Sequence, residues 1–227
     1  MKLEPLGDSA VVATLGAGVD ALASVHGLAE AVVAAKARGI LDVVPAYGTV
    51  TAFYDPLQFP ESSGDAYGAV CRLLESCAAR AASAAPASSS RVLEIPVCYG
   101  GDFGPDLELV AGRCALGAAE VAALHTGSGY VVHAVGFTPG FPYLGGLPAA
   151  LHTPRRDTPR IRVPAGSVGI GGSRTGVYPI ASPGGWQIIG RTPMALFRPE
   201  ERPAALLKPG DRVRFRAISE SDFSSWR

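Results

Sequence analysis

Glycine and proline dominate the second half of this chain, and they restrict its fold more than any other feature. Of the 227 residues, 28 are glycine and 19 are proline, whereas ordinary usage gives roughly 12% for the two together. The segment 136–193 alone holds 12 glycines and 9 prolines. Proline interrupts helices, and glycine permits tight turns and close backbone approach. We therefore expect short strands and turns there.

The remaining composition excludes disorder as the cause of this excess. Hydrophobic residues make up 48% of the chain, charged residues only 18%, and the net charge is zero. A chain of this kind carries enough apolar surface to offset its conformational entropy on folding. The glycines also lack the period of three that a collagen helix requires. The sequence therefore predicts a folded globular protein.

Charge is balanced over the whole chain but not locally. Zero net charge argues against a nucleic-acid or membrane-surface binder, which would carry a strong basic excess. Between residues 121 and 199 the only acid is Asp157. The same stretch contains seven arginines, namely Arg155, Arg156, Arg160, Arg162, Arg174, Arg191 and Arg198. The planar guanidinium group suits carboxylate or phosphoryl groups, so this stretch is a candidate for anion recognition.

Cysteine spacing and the N-terminus indicate the cellular setting. The four cysteines include no CxxC pair and no histidine at zinc-like spacing, so we predict neither a disulfide framework nor a metal site. The segment MKLEPLGDSA has no apolar targeting region, and no apolar run is long enough to span a membrane. We expect a cytoplasmic protein.

The first 85 residues show the periodicities of a small α+β domain. Apolar spacing predicts the following elements: strand 9–15, helix 20–38, strands 41–44 and 49–54, and helix 65–82. A further strand at 92–97 either completes a ferredoxin-like unit or opens the next domain. Between the two, the small polar segment 81–90 is the predicted linker.

Residues 91–227 have a different pattern, which predicts a second domain. Two short helices are expected at 106–114 and 118–124. The predicted strands are 130–137, 160–163, 167–170, 177–180, 186–189 and 211–216. Many short strands with frequent turns are typical of a β-barrel or sandwich. In the last strand, alternation places Val213 and Phe215 on one face.

The run GFTPGFPYLGGLP, residues 136–148, is the first candidate for a functional site. It places Phe137, Phe141 and Tyr143 on a chain whose dihedral angles are restricted by prolines. Such a loop either plugs one end of a barrel or forms a preorganised pocket wall. The pocket interpretation makes these three aromatic residues candidates for substrate binding.

The arginine-rich segment that follows is the second candidate. Two Thr-Pro-Arg tripeptides end at Arg155 and Arg160. Ser167 and Thr175 bound a glycine-rich stretch whose hydroxyl and N–H groups suit an anion. The segment matches neither GxxxxGK[ST] nor a dinucleotide fingerprint. These arginines either belong to a solvated barrel exterior or bind an anionic ligand.

Three polar residues and one aromatic residue complete the set of candidates. Gln187 lies in an apolar strand and needs a buried partner or a ligand, because an unpaired buried amide costs roughly 1–3 kcal/mol. It follows Trp186, which is either core or pocket wall, and precedes Arg191. His125 ends a predicted helix, where it either caps the helix or takes part in chemistry.

Several long motifs in order resemble the family of bacterial 5-oxoprolinase B subunits. They are EIPVCYGGDFGPDLE, LHT, GFTPGFPYLGGLP, TPRRDTPRIRVPAGSVGIGG, SPGGWQIIGRTP and LLKPGDRVRF, with GDSAVVATLG and VVPAYGTVTAFYDP nearer the N-terminus. The likeness spans nearly the whole chain. One departure is Arg174, which stands where many members have glutamine.

The resemblance implies a fold and an activity. It implies a small N-terminal ferredoxin-like α/β domain, residues 1–85, followed by a cyclophilin-like β-barrel domain, residues 91–227. The implied reaction is the ATP-dependent opening of the 5-oxoproline lactam to L-glutamate, carried out as a heteromer with a homologous C subunit and an A subunit. ATP is expected to be bound by or with these partners.

Within that reaction, the resemblance and the residues together assign roles. His125, Arg160 and Gln187 are the catalytic candidates. The substrate-binding candidates are Phe137, Phe141, Tyr143, Arg155, Ser167, Thr175 and Arg191.

Two alternatives remain open. The family has also been labelled allophanate hydrolase subunit 1, and it includes KipI, an inhibitor of a sporulation histidine kinase. A regulatory protein of the second kind would bind a kinase without turnover. A role in urea or allophanate metabolism, through a related carboxyltransferase domain, is the weaker alternative.

Overall fold

The structure is a computed structural model that describes residues 1–16, 19–59, 65–83 and 91–226. The chain divides into two compact units, Met1–Ser90 and Arg91–Arg227. The predicted linker residues 84–90 lie outside the described residues. No helix in the described ranges is both long and apolar enough to cross a membrane.

The first unit is an antiparallel sheet with two helices. Its elements are β1 (Lys2–Pro5), β2 (Ala10–Thr14), α1 (Val19–Ala35), β3 (Ile40–Ala46), β4 (Thr49–Tyr54), a single 3-10 turn (Pro56–Gln58) and α2 (Ala66–Ser83). The strands lie in the order β1-β2-β4-β3. Alternate residues of β4, Val50, Ala52 and Tyr54, are buried in one core with Leu28 of α1 and Leu74 of α2.

The outer strand of this sheet differs from the expectation for a ferredoxin-like unit. That arrangement takes its last strand from the segment after the second helix, for which 92–97 is the candidate. The structure instead places Lys2–Pro5 beside β2, with Leu3 opposite Ala13, and assigns Val92–Tyr99 to the second unit. The ferredoxin-like order is therefore not confirmed. The polar sequence of β1 carries no strand signal.

The second unit is built around a closed barrel. Its elements are β5 (Val92–Tyr99), α3 (Leu107–Cys114), α4 (Ala118–Thr126), β6 (Gly129–Val135), β7 (Pro142–Gly145), a 3-10 turn (Ala149–Leu151), β8 (Arg160–Val163), β9 (Ser167–Gly171), β10 (Arg174–Val177), β11 (Ser182–Gly184), β12 (Gln187–Arg191), β13 (Arg212–Ala217) and α5 (Glu220–Ser225). Seven strands close in the order β10-β7-β6-β13-β5-β12-β9, and β8 pairs separately with β11 as a two-stranded ribbon.

The barrel confirms the β-rich prediction for this part of the chain. Val213 and Phe215 of β13 point into the core together with residues of α3 and α4, such as Val110 and Val121. The strand predicted at 177–180 is displaced, because β10 spans Arg174–Val177 and Tyr178 lies beyond its end.

Glycine is required where the chain crosses the large Trp186 side chain. A Cβ atom at Gly171 would lie only 2.7 Å from two atoms of the Trp186 indole. Trp186 is itself buried and packs with Phe141 and Tyr178 in a second, smaller apolar cluster of this unit. The glycine excess of the sequence thus allows an aromatic cluster to lie directly against the barrel strands.

We predict that Gly171→Ala destabilises the fold by roughly 1–3 kcal/mol, because the added methyl group forces Trp186 out of its packed position. Urea denaturation measures the free energy of unfolding. The matched control is Gly112→Ala in α3, where a Cβ meets nothing within 4 Å and helix propensity favours alanine by roughly 0.5–1 kcal/mol. Equal stability changes in the two variants would contradict the packing argument.

Candidate functional site

An aromatic pocket in the second unit is the candidate site. Its volume is about 250 Å³. The lining residues are Phe137, Phe141, Tyr143, Arg155, Pro159, Tyr178, Pro183, Gly184, Gly185 and Trp186. They come from β7 and the turn before it, the segment between the 3-10 turn and β8, the residue after β10, and the ribbon strand β11 with its flanks. A small concave site with aromatic walls and a single charged group is a typical ligand site.

Phe137 stands at the mouth of this pocket in a strained backbone conformation. Its φ angle is 71°, in the left-handed region that bulky residues rarely adopt. The side chain is 63% exposed. Its ring meets Phe141 edge to face at a centroid distance of 5.7 Å. Strain held at an exposed aromatic residue is a feature of ligand-binding sites.

Phe141 forms the floor on which the other rings pack. It is buried, and its centroid lies 4.9 Å from Tyr143, 5.1 Å from Tyr178 and 5.4 Å from Trp186. All three contacts are edge to face, the arrangement that the ring quadrupoles favour. The floor is therefore a rigid, apolar surface.

Arg155 supplies the positive charge of the pocket. Its guanidinium carbon lies 5.8 Å from the centroid of the Trp186 ring, over its face, a favourable cation–π geometry. Within the described residues, no carboxylate lies at ion-pair distance from Arg155. Its charge is thus available to an anionic ligand.

A buried carboxylate, Asp106, holds the segment that carries Arg155. One oxygen, Oδ1, accepts hydrogen bonds from Arg160 Nη2 at 2.8 Å and from Arg156 Nη1 at 3.3 Å. The other, Oδ2, accepts from the backbone N–H of Ile188 at 2.7 Å. Asp106 is only 4% exposed. Charge-assisted bonds of this kind are stronger than neutral ones and fix geometry.

Two backbone hydrogen bonds add to the contacts of Asp106 in holding this segment. The N–H of Asp106 donates to Ile188 O at 2.9 Å, and the N–H of Arg156 donates to Gly185 O at 2.7 Å. Residues 154–160 are thereby tied to β12 and to the residues before it. Arg160 therefore acts beside the pocket, through Asp106, and is not among the residues that line it.

His125, a predicted catalytic residue, lies inside the barrel with no exposed surface. Its Nδ1 is 2.7 Å from the Tyr99 hydroxyl, and its Nε2 is 2.9 Å from Thr175 Oγ1. Thr175 donates its own proton to Gly169 O, so the network assigns the imidazole proton to Nε2. Burial lowers the pKa of His125 to about 3. The imidazole is thus neutral and fully partnered, as in a structural core residue.

The other predicted polar residues also lie away from the pocket lining. Gln187 donates to Pro154 O at 3.0 Å and pairs in register with the core residue Ile170. Ser167 and Thr175 belong to β9 and β10, which pair with each other. Their backbone groups serve the strand ladder, so this stretch is a pair of strands, and anion binding by its hydroxyl groups stays a prediction. Arg191 donates to Ala165 O and lies over the Phe223 ring.

The structure thus brings together four of the predicted residues and adds two that sequence analysis missed. Phe137, Phe141, Tyr143 and Arg155 line one pocket. The unforeseen residues are Tyr178, whose strand was predicted out of place, and Asp106, which lies 50 residues from Arg156 in sequence. Among the described residues, no three His, Cys, Asp or Glu side chains form a group suited to a metal ion.

Comparison with known sequences gives consistent matches. The family described as "Carboxyltransferase domain, subdomain C and D" matches residues 1–207. The 5-oxoprolinase B subunit of Bacillus subtilis (strain 168) is 44% identical over 232 residues, covering 100% of this chain and 96% of that protein. The 5-oxoprolinase B subunit of Escherichia coli O157:H7 is 50% identical over 177 residues, or 78% of this chain and 77% of that protein.

Solved structures match the fold as well. The crystal structure of TTHA0988 superposes with a TM-score of 0.79 at 41% identity, over 92% of this chain and 40% of that chain. Our chain therefore spans less than half of that longer protein. The Kluyveromyces lactis urea amidolyase gives a TM-score of 0.74 at 18% identity, over 98% of this chain and 15% of that chain, a likeness that concerns the fold alone.

We predict that Asp106→Ala lowers the free energy of unfolding by roughly 2–4 kcal/mol, because it leaves two guanidinium groups and a backbone N–H without their partner. Urea denaturation of the full chain provides the measurement. Asp157→Ala is the matched control, since Asp157 is an exposed acid in the same segment and its loss leaves stability unchanged. A similar loss in both variants would show that Asp106 has no special role.

We also predict a pH dependence of stability that arises from His125. The unfolded chain has the ordinary imidazole pKa of 6.5, while the folded pKa is about 3, so only the unfolded state takes up a proton between these values. Stability therefore falls as the pH drops below 6.5, and His125 contributes a loss of about 2 kcal/mol between pH 7 and pH 5.

Urea denaturation at the two pH values measures this difference. In His125→Gln the difference shrinks by that amount. His26, whose pKa is also lowered mainly by burial, contributes to the pH dependence of the wild type and is unchanged in this variant. An undiminished slope in His125→Gln would mean that His125 is not the group responsible.

Proposed function

We propose that this chain, which belongs to the family of 5-oxoprolinase B subunits, is the B subunit of an ATP-dependent 5-oxoprolinase. It also belongs to the family of carboxyltransferase C and D subdomains. In the proposed reaction the lactam bond of 5-oxoproline is opened to give L-glutamate, together with an A subunit and a homologous C subunit. ATP enters as a co-substrate bound by or with these partners.

The observation that supports this proposal best is the pairing of an apolar aromatic pocket with the guanidinium of Arg155. 5-Oxoproline is a small, nearly flat five-membered ring that bears a single carboxylate. Its ring faces suit the edge-to-face walls formed by Phe141, Tyr143 and Trp186, and its carboxylate suits the guanidinium of Arg155 over Trp186. The volume of about 250 Å³ admits such a ring with room for water.

In this proposal the pocket gives the chain the tasks of binding and orientation. A lactam amide is a poor electrophile, and transfer of a phosphoryl group from ATP to its carbonyl oxygen makes the carbon susceptible to water. Positive charge near the ring stabilises the negative charge that develops in such a step. Arg155 provides that charge at the pocket, and Asp106 keeps the segment of Arg155 in place through Arg156 and Arg160.

Reconstitution tests the proposal directly. The chain is co-expressed with its candidate A and C partners, and glutamate release from 5-oxoproline is measured with and without ATP. We expect ATP-dependent release from the assembled complex only. A soluble complex of all three chains that releases no glutamate would show that the proposed function is wrong, and binding to a sensor kinase would then be the next function to test.

In the same assay, Arg155→Ala is expected to raise KM for 5-oxoproline by roughly 10- to 100-fold, the loss typical of a charge-assisted contact. The matched control is Arg162→Ala, because Arg162 is exposed on β8 and does not line the pocket. If Arg155→Ala keeps the wild-type KM while the complex remains active, the function stands and the pocket is not its substrate site.

A further inference from the structure

The hydroxyl group of Tyr178 is a second polar group in the wall of the aromatic pocket. Tyr178 is 1% exposed and lines the aromatic pocket. Its ring lies edge to face against Phe141 at 5.1 Å and against Phe137 at 6.5 Å. These contacts fix the ring, so the direction of its hydroxyl bond is restricted.

The hydroxyl is placed by a glycine that leaves room for it. A Cβ at Gly184 would overlap the Tyr178 hydroxyl oxygen, so no residue with a side chain fits there while Tyr178 keeps its position. Gly184 itself lines the pocket. The oxygen therefore lies against the bare backbone of β11, on the pocket wall.

The hydrogen bonds around Tyr178 leave the hydroxyl proton available. The backbone N–H of Trp186 donates to the Tyr178 oxygen, which uses one of its acceptor positions. Within the described residues, the structure shows no acceptor for the proton of this hydroxyl. A ligand oxygen in the pocket can therefore accept this proton.

The hydroxyl remains protonated at neutral pH. Burial raises the pKa of Tyr178 above its ordinary value of 10, and the positive charges of Arg155 and Arg160 offset this only in part. The group is thus a neutral donor, next to the cation of Arg155. A neutral donor suits a neutral carbonyl oxygen, while the carboxylate has the stronger partner in Arg155.

We propose that the Tyr178 hydroxyl donates a hydrogen bond to the lactam carbonyl oxygen of the ligand and so selects a lactam over a ring that lacks this oxygen. The assignment rests on the proposed function, because it takes 5-oxoproline as the ligand. Sites built to bond one polar group discriminate strongly against analogues without it, since their own buried donor is then left unpaired.

Isothermal titration calorimetry on the full chain, with three ligands, tests this. 5-Oxoproline has both the carbonyl and the carboxylate, 2-pyrrolidone keeps only the lactam, and cyclopentanecarboxylate keeps only the carboxylate. In Tyr178→Phe we expect the Kd to rise about 3- to 10-fold for the first two ligands and to stay unchanged for the third. In Arg155→Ala we expect the Kd to rise for 5-oxoproline and for cyclopentanecarboxylate, which both carry the carboxylate, and to stay unchanged for 2-pyrrolidone.

The controls separate binding from a general disturbance of the pocket. Tyr47→Phe changes an exposed tyrosine of the first unit and is expected to bind all three ligands as the wild type does. Equal loss for all three ligands in Tyr178→Phe, no loss for any, or a wild-type chain that binds none of them would each overturn the proposal.

Glutamate release by the assembled complex tests the proposed function separately from the role of Tyr178. If the assembled complex releases glutamate and Tyr178→Phe leaves its KM unchanged, the assignment of Tyr178 is wrong and the function stands. If the assembled wild-type complex releases none, the function itself is wrong. A rise in KM with little change in kcat supports the assignment, because this hydroxyl is proposed to bind the ground-state carbonyl.

Discussion

The carboxylate of Asp106 is the interaction on which the candidate site depends. It joins three parts of the second unit that are far apart in sequence: the N-terminus of α3, the start of β12 and the segment 154–160. Two arginines share one of its oxygens, so the charge of the carboxylate is more than balanced. The segment that carries Arg155 is thereby held without use of Arg155 itself, whose charge is left for a ligand.

The second unit keeps two kinds of polar residue apart. Inside the barrel, His125 and Thr175 bond each other and the backbone, and burial keeps the imidazole neutral. At the aromatic pocket, Arg155 and Tyr178 line a cavity, and both have hydrogen-bond donors that no group among the described residues uses. Buried networks that are fully satisfied stabilise a unique core, whereas groups with unused hydrogen-bonding capacity are those that can recognise a ligand.

Much of the fold followed from local pattern. Strands such as Thr49–Tyr54 and Arg160–Val163 have the bounds that alternation and turn residues predict, because those signals are encoded within the strands. Lys2–Pro5 was missed since its charges and proline lack a strand pattern, and it is paired only through β2. The pairing itself is local, since Pro5 lies opposite Val11, but a strand without apolar alternation gives no signal in a short window of sequence.

The site was predictable only in part, for a related reason. Phe137, Phe141 and Tyr143 were identified because they share one proline-restricted run. Asp106 was not, since the two arginines that it binds lie 50 and 54 residues away. The catalytic role of His125 stays a prediction, because a buried structural histidine and a functional one look alike in sequence. Ser167 and Thr175 have the composition of an anion loop, but strand pairing uses their backbone groups.

Closure of the barrel limits the ways in which another chain can bind to it. Each of its seven strands has a neighbour on both sides, so none of them is an edge strand along its whole length, on which another strand could readily grow. A chain so rich in short apolar strands would otherwise be at risk of edge-to-edge aggregation. Any protein that associates with the barrel wall must therefore recognise its side chains, so specificity there is a matter of shape and charge.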